Sequence, residues 1–261
     1  MRRYLVLLGV QMRASLQIAV QYRVDFFVGA LMTLFWTVWG LLPLVFVWRG
    51  RIVAGWSMPE ALLVVAWFTL LRGLLDGAVQ PALGAVVEHI RKGTLDFVLL
   101  KPADAQFLVS TTRFVLVHVV DGIAAVVIAV YALNQLHHVP RPLDVGIAVA
   151  LTVAAAALLY SVAILAVSVA FWVVRVDNLM YLFTSVFDAA RWPSTVWRGA
   201  LRVVFTFVVP LALMTTYPAE ALLGRLPGRV AIFALVGAVL FTVAARQVWK
   251  RAIGHYTSAS S

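Results

Sequence analysis

Hydrophobic positions in this chain fall in long unbroken runs, and the polar positions gather in short clusters between them. Residues 26–47 and 145–174 carry no charge at all. An α-helix needs about 20 such residues to cross a bilayer. Four further runs hold only one to three charges each, so the pattern predicts six spans, at 24–48, 58–87, 106–133, 145–174, 199–217 and 229–249. The opening residues 1–23 behave differently. Leu5, Leu8, Met12, Leu16 and Ala19 recur at helical spacing, with Arg13, Gln17 and Gln21 elsewhere on the wheel. This predicts an amphipathic helix lying in the membrane interface. It does not read as a signal peptide, because the apolar run stops at Gln11 and Arg13 and no small-residue cleavage site follows.

Composition agrees with the pattern. Of 261 residues, 63% are hydrophobic and 12% charged, and the mean hydropathy is +0.97. That is too little charge to cover a soluble domain. The predicted fold class is an all-α polytopic membrane protein, one domain over residues 1–261. The absence of cysteine excludes disulfide frameworks and thiolate chemistry. The net charge of +10 is dispersed between apolar runs, which argues for membrane topology and against nucleic acid. With six spans, fifteen Lys and Arg fall on the side of both termini and five on the other, with Arg72 left within the membrane. By the positive-inside rule both termini are cytoplasmic.

Polar residues inside the spans stand out. Arg72 and Asp76 are four apart on the second predicted helix and share one face. His118 and Asp121 lie on the third, and a similar distance from the helix ends predicts that Arg72 pairs with Asp121, Asp76 or both. Such a cluster fits either a proton or substrate path or a buried clamp between helices. Gly73 and Gly77 form a GxxxG step, suited to close packing within the subunit or to a dimer seam. Pro81 is expected to kink the helix. Trp36, Trp39, Trp48 and the other aromatics near span ends read as interfacial anchors without a ligand role.

Catalytic signatures do not emerge. Each lysine is followed by Gly93, Pro102 or Arg251, so no P-loop exists, and HExxH, GxSxG and GxGxxG are absent. His137 and His138 lack the spacing and the carboxylates of a metal site. The chain is read as a non-enzyme with no metal or cofactor of its own.

The most polar stretch, residues 88–104, separates the second and third spans. Within it "IRKGTLDFVLLKP" resembles the cytoplasmic signature of ABC-2 type permeases, in a branch with a GxLDxxLLxP core, here Gly93, Leu95, Asp96, Leu99, Leu100 and Pro102. "RWPSTVW", "VVPLALMTTYPAEALLG" and the terminal "YTSASS" are similar too. The resemblance implies the membrane subunit of an exporter in a bacterial inner membrane, paired with a second copy or a related permease. ATP and Mg would be bound by a separate ATPase dimer. It also implies re-entrant half-helices before the last span, and the punctuation of residues 217–228 is compatible with them. Residues 88–104 would be the coupling helix. Glu88, Arg91, Lys92, Gly93, Asp96, Phe97, Leu99, Leu100, Lys101 and Pro102 would form its interface, with Phe97 to Leu100 filling an apolar cleft. The rival is an ATP-independent proton- or ion-coupled transporter or channel using Arg72, Asp76, His118 and Asp121; a membrane scaffold is a third reading. No motif names a cargo.

Overall fold

A computed structural model of the chain describes residues 2–171, 177–205 and 210–254. The predicted end of the fourth span at 172–174, Arg175, the middle of the predicted fifth span and the terminal "YTSASS" lie outside them.

Every regular element among the described residues is a helix: α1 (Arg2–Gln21), α2 (Arg23–Trp48), α3 (Met58–Arg91), α4 (Asp96–Leu99), α5 (Ala105–Ser110), α6 (Leu116–Gln135), α7 (Pro142–Ser168), α8 (Asp177–Phe187), α9 (Ala200–Val203), α10 (Tyr217–Leu222) and α11 (Gly228–Gly254). The protein is an all-α polytopic membrane protein. Five helices among the described residues are long and apolar enough to cross a bilayer: α2, α3, α6, α7 and α11.

α3 and α7 form the centre. Ala61, Leu63, Leu71, Leu75 and Leu83 of α3 are fully buried, as are Leu151, Leu158 and Leu159 of α7. α2 lies at the periphery, and only 6% of its most apolar window is buried; its outward residues are apolar, as a lipid-facing surface requires. α11 packs against α7, and both helices bury small residues, Ala231, Ala234, Ala238 and Ala245 on α11 and Ala148, Ala155 and Ala163 on α7. Small side chains let two helices approach where no water drives them together. α1 packs beside the loop that follows α5. Ser15 Oγ accepts from the Phe114 amide at 3.3 Å, and Tyr4 meets Phe107 edge to face at 4.8 Å. Leu8, Met12 and Ala19 of the predicted stripe turn towards protein, while Leu5 and Leu16 are exposed.

Pro81 acts differently from a simple kink. It has no N–H to give to the carbonyl of Gly77, four residues back. The helix opens into a wide π turn over Leu75–Val79, and the Gly77 carbonyl accepts from the Val115 amide at 2.7 Å. Residues 111–115 are non-helical, so the predicted third span, 106–133, is divided into α5 and α6.

The fifth crossing also departs from the expectation. Gln80 Nε2 donates to Thr184 at 2.8 Å, Arg72 pairs with Asp188 at 2.7 Å, and Arg191 lies over the Phe68 ring. Trp56 Nε1 donates to Thr195 at 3.0 Å. Residues 184 to 195 therefore climb along α3 from near its π turn to its N-terminal end. The sequence pattern places this span at 199–217. The apolar segment that follows instead re-enters the bundle from the 50–57 end. Leu211 to Met214 are buried, Thr215 donates to the Ala190 carbonyl at 2.8 Å, and Leu222 O lies 3.3 Å from His138 Nε2, back beside the 136–141 loop. Residues 210–222 thus pack into the bundle from that end, where the sequence reading put half-helices at 217–228. Arg191 consequently lies inside the bundle and Arg198 at its 50–57 end, while the excess of basic residues stays at the other end.

Candidate coupling surface and intramembrane charge cluster

Residues 88–104 form a turn, a one-turn helix and a second turn, rather than one long amphipathic helix. α3 stops in a two-bond C-terminal cap. The Gly93 amide donates to the Ile90 carbonyl at 3.2 Å and the Thr94 amide to the His89 carbonyl at 2.9 Å. This cap needs a left-handed residue, and Gly93 supplies it at φ +65°. The chain then turns back so that Leu95 and Val98 enter the core while Phe97 (70% exposed) and Leu100 (80% exposed) project outwards. Leu99 is half-buried. Of the four apolar residues expected to fill a partner's cleft, two are free to do so. Val98 is folded into the chain's own core, because a single helical turn cannot show all its sides to one partner.

Charged residues surround the two projecting side chains. Glu88 and Lys92 pair at 2.6 Å across one helical turn, both mostly exposed and so screened by solvent. Arg91 and Asp96 are also engaged within the chain. Lys101 and Pro102 are exposed.

The base of this segment is tied to the bundle. Asp104 caps α5 by accepting from the Phe107 amide at 3.0 Å, and it receives Arg246 Nη2 of α11 at 2.7 Å. Arg246 Nη1 donates to Gln106 Oε1 at 2.8 Å, and Gln106 Nε2 donates to Tyr160 of α7 at 2.9 Å. The Tyr160 and Ser110 hydroxyls lie 2.6 Å apart. Hydrogen bonding to Arg246 holds the Asp104 carboxyl below its ordinary value, against the opposing effect of burial. Sequence reading missed this brace. Its hint was one arginine near the end of an apolar helix, without an indicated partner.

The intramembrane residues meet at a cleft of about 470 Å³ between α2, α3, α6 and the fifth crossing. Arg72 Nε pairs with Asp76 Oδ2 at 2.6 Å and Nη1 with Asp188 Oδ1 at 2.7 Å. Of the two partners expected for Arg72 it takes Asp76, while Asp121 takes His118 Nδ1 at 2.8 Å. Asp121 is nevertheless level with Arg72. A Cβ on Gly73 would lie 2.7 Å from the Asp121 Cβ, and one on Gly77 would lie 3.0 Å from the His118 Cβ. The GxxxG step therefore seats α6 within the same chain. Asp188 and Arg191 join the cluster from 116 and more residues away. Trp36 and Trp39 also line the cleft.

This architecture is that of a polytopic helical membrane protein. A family model described as ABC-2 family transporter protein matches residues 30–260, so the chain belongs to the ABC-2 family and is a permease of an ABC-type transporter. That family implies an ATPase partner and is typically a non-catalytic membrane subunit. No curated protein and no solved structure matches the chain.

Proposed function

We propose that this chain is the membrane subunit of an ATP-driven exporter and that it docks through residues 88–104 onto a separate ATPase dimer. ATP and Mg would be held by that dimer. The second permease would be a further copy or a paralogue, and the membrane the bacterial inner membrane with both termini and residues 92–104 in the cytoplasm.

The observation that carries this reading is the pair Phe97 and Leu100, two large apolar side chains left exposed outside the spans, on a segment whose base is braced. Exposed apolar anchors ringed by charge suit a groove in a soluble partner, the charges fixing register and the anchors supplying affinity. Closure of the ATPase dimer would move Asp104, and Arg246 and Gln106 would carry that displacement to α11 and α7. A rigid displacement of packed helices is an established way to open a path.

The test is co-purification of the ATPase with Phe97→Ala/Leu100→Ala permease. Losing two anchors is expected to weaken the complex at least tenfold, since hot-spot side chains contribute about 2 kcal/mol or more each. Undiminished co-purification would remove the docking assignment.

A further inference from the structure

The cleft contains a cation whose N–H groups find no hydrogen-bond partner among the described residues, although the Asp188 carboxylate lies near enough to attract it. Arg72 is fully engaged by Asp76 and Asp188. Arg191 is half-buried, yet among the described residues no hydrogen bond or ion pair reaches its guanidinium. The Phe68 ring lies 4.9 Å from its central carbon, and Gly40 leaves it space, since a Cβ there would be 3.3 Å from Nη1. A partly desolvated guanidinium with its donors unused is costly, and its planar fork matches a phosphate or carboxylate. One helical turn earlier, Asp188 uses Oδ1 for Arg72 and is 49% exposed, so Oδ2 is open to a donor. The cleft therefore offers a cation and an anion acceptor side by side. Its outer wall is apolar. Trp36 and Trp39 of α2 are more than half exposed, and Phe35 stacks on Trp39 at 6.0 Å. The volume, about 470 Å³, is within the range of small-molecule sites.

We propose that this cleft binds the headgroup of an amphiphile that combines an acidic group with hydrogen-bond donors. The phosphate or carboxylate pairs with Arg191, an ammonium or hydroxyl reaches Asp188, and the acyl chain lies along Trp36 and Trp39. Two sources share this chemistry, a resident bilayer lipid and the transported cargo. The site goes beyond the docking reading and does not depend on it, because binding is measured on the full-length permease without ATPase.

The probe is lysophosphatidylethanolamine, titrated onto the chain in an uncharged maltoside detergent and followed by native mass spectrometry. One probe per chain is expected, with affinity lowered about tenfold in Arg191→Gln, as the loss of a charge-assisted pair implies, and largely restored in Arg191→Lys. Lysophosphatidylcholine, which keeps the phosphate but has no N–H donor, should bind more weakly, and an uncharged monoacylglycerol only at background. Equal binding by wild type and Arg191→Gln overturns the proposal, as does monoacylglycerol binding as tightly as the phospholipid. If Arg191→Gln does not fold, Asp188→Asn supplies the second arm. It should weaken the ethanolamine probe more than the choline one, which lacks the N–H donor, and an equal effect on both counts against the site. Binding that depends on permease dimerisation but not on Arg191 would assign the wall to a second copy and likewise overturn it. With the ATPase restored, a probe retained through ATP turnover is a resident lipid, and one moved to the opposite leaflet is cargo.

Discussion

Two glycines and one aspartate show how single residues fix the working geometry. Gly93 is left-handed at φ +65°, where a Cβ costs about 1–2 kcal/mol. Gly93→Ala should lower the stability of the purified chain by about that amount and loosen Phe97 and Leu100 in the same variant; thermal unfolding and co-purification with the ATPase report the two effects separately. Gly73 is constrained by space instead, because Asp121 would be 2.7 Å from a new Cβ. Gly73→Ala is expected to cost about 1–3 kcal/mol by overpacking, whereas Gly9→Ala, with nothing within 4 Å, should unfold no earlier than wild type. Asp104 contributes through its charge. Arg246 depresses its pKa below the usual 3.8, so the unfolded chain takes up that proton at higher pH than the folded one. The pair's contribution is fully present above the ordinary aspartate value and is lost as pH falls through the depressed one. Both side chains are about a third or more exposed, which makes the effect modest. Asp104→Asn should show a flatter loss of thermal stability on acidification than wild type. At this scale sequence was a partial guide. The i,i+4 spacing of Arg72 and Asp76 gave their pairing, because one helix sets both positions. It gave neither Asp188 nor Arg191, whose approach depends on how a distant segment crosses the bundle.

Elements were legible in proportion to their apolar content. α2 and α7 followed from uncharged runs, and α3 and α11 from long apolar runs with few charges, since nothing but a membrane accommodates them. The fifth crossing did not, because Asp188, Arg191 and Pro193 give it the look of a loop. Its charges are tolerated where Arg72 and Phe68 receive them. The re-entrant arm was mistaken for the span because its buried, apolar 211–222 has span-like composition. A second tie holds this arm. Arg225, just beyond α10, pairs with Glu60 at the start of α3, whose side chain is 8% exposed and also accepts from the Ser57 amide at 2.8 Å. Removing the arginine strands a buried carboxylate, and removing the charge of the carboxylate leaves only an exposed arginine. Arg225→Ala should therefore destabilise by about 1–3 kcal/mol and by more than Glu60→Gln, as read by thermal unfolding of the two variants.

For the whole molecule, both the beginning and the end of the bundle lie beside residues 92–114. α1 contacts Phe107 and Phe114, and Arg246 near the end of α11 meets Asp104. The five long helices, with residues 184–195 running along α3 from near its π turn to its N-terminal end, bring the first and last helices to the same end of the bundle. The chain has no cysteine, so single introduced cysteines can report the side of the membrane. Arg198→Cys should react with an impermeant thiol reagent from the same side as Ile52→Cys and the opposite side to Lys101→Cys; reaction from the Lys101 side would restore 199–217 as the span. The claim that matters most is that the 92–104 end meets the ATPase. Its most direct measurement is site-specific photo-crosslinking in native membranes, with a photoreactive phenylalanine analogue in place of Phe97, Leu100 or Val139. Val139 is 88% exposed at the other end of the bundle and serves as the control. The account predicts an adduct with an ATPase subunit from positions 97 and 100 and none from 139. No ATPase adduct from 97 and 100, or equal yield from 139, would contradict it.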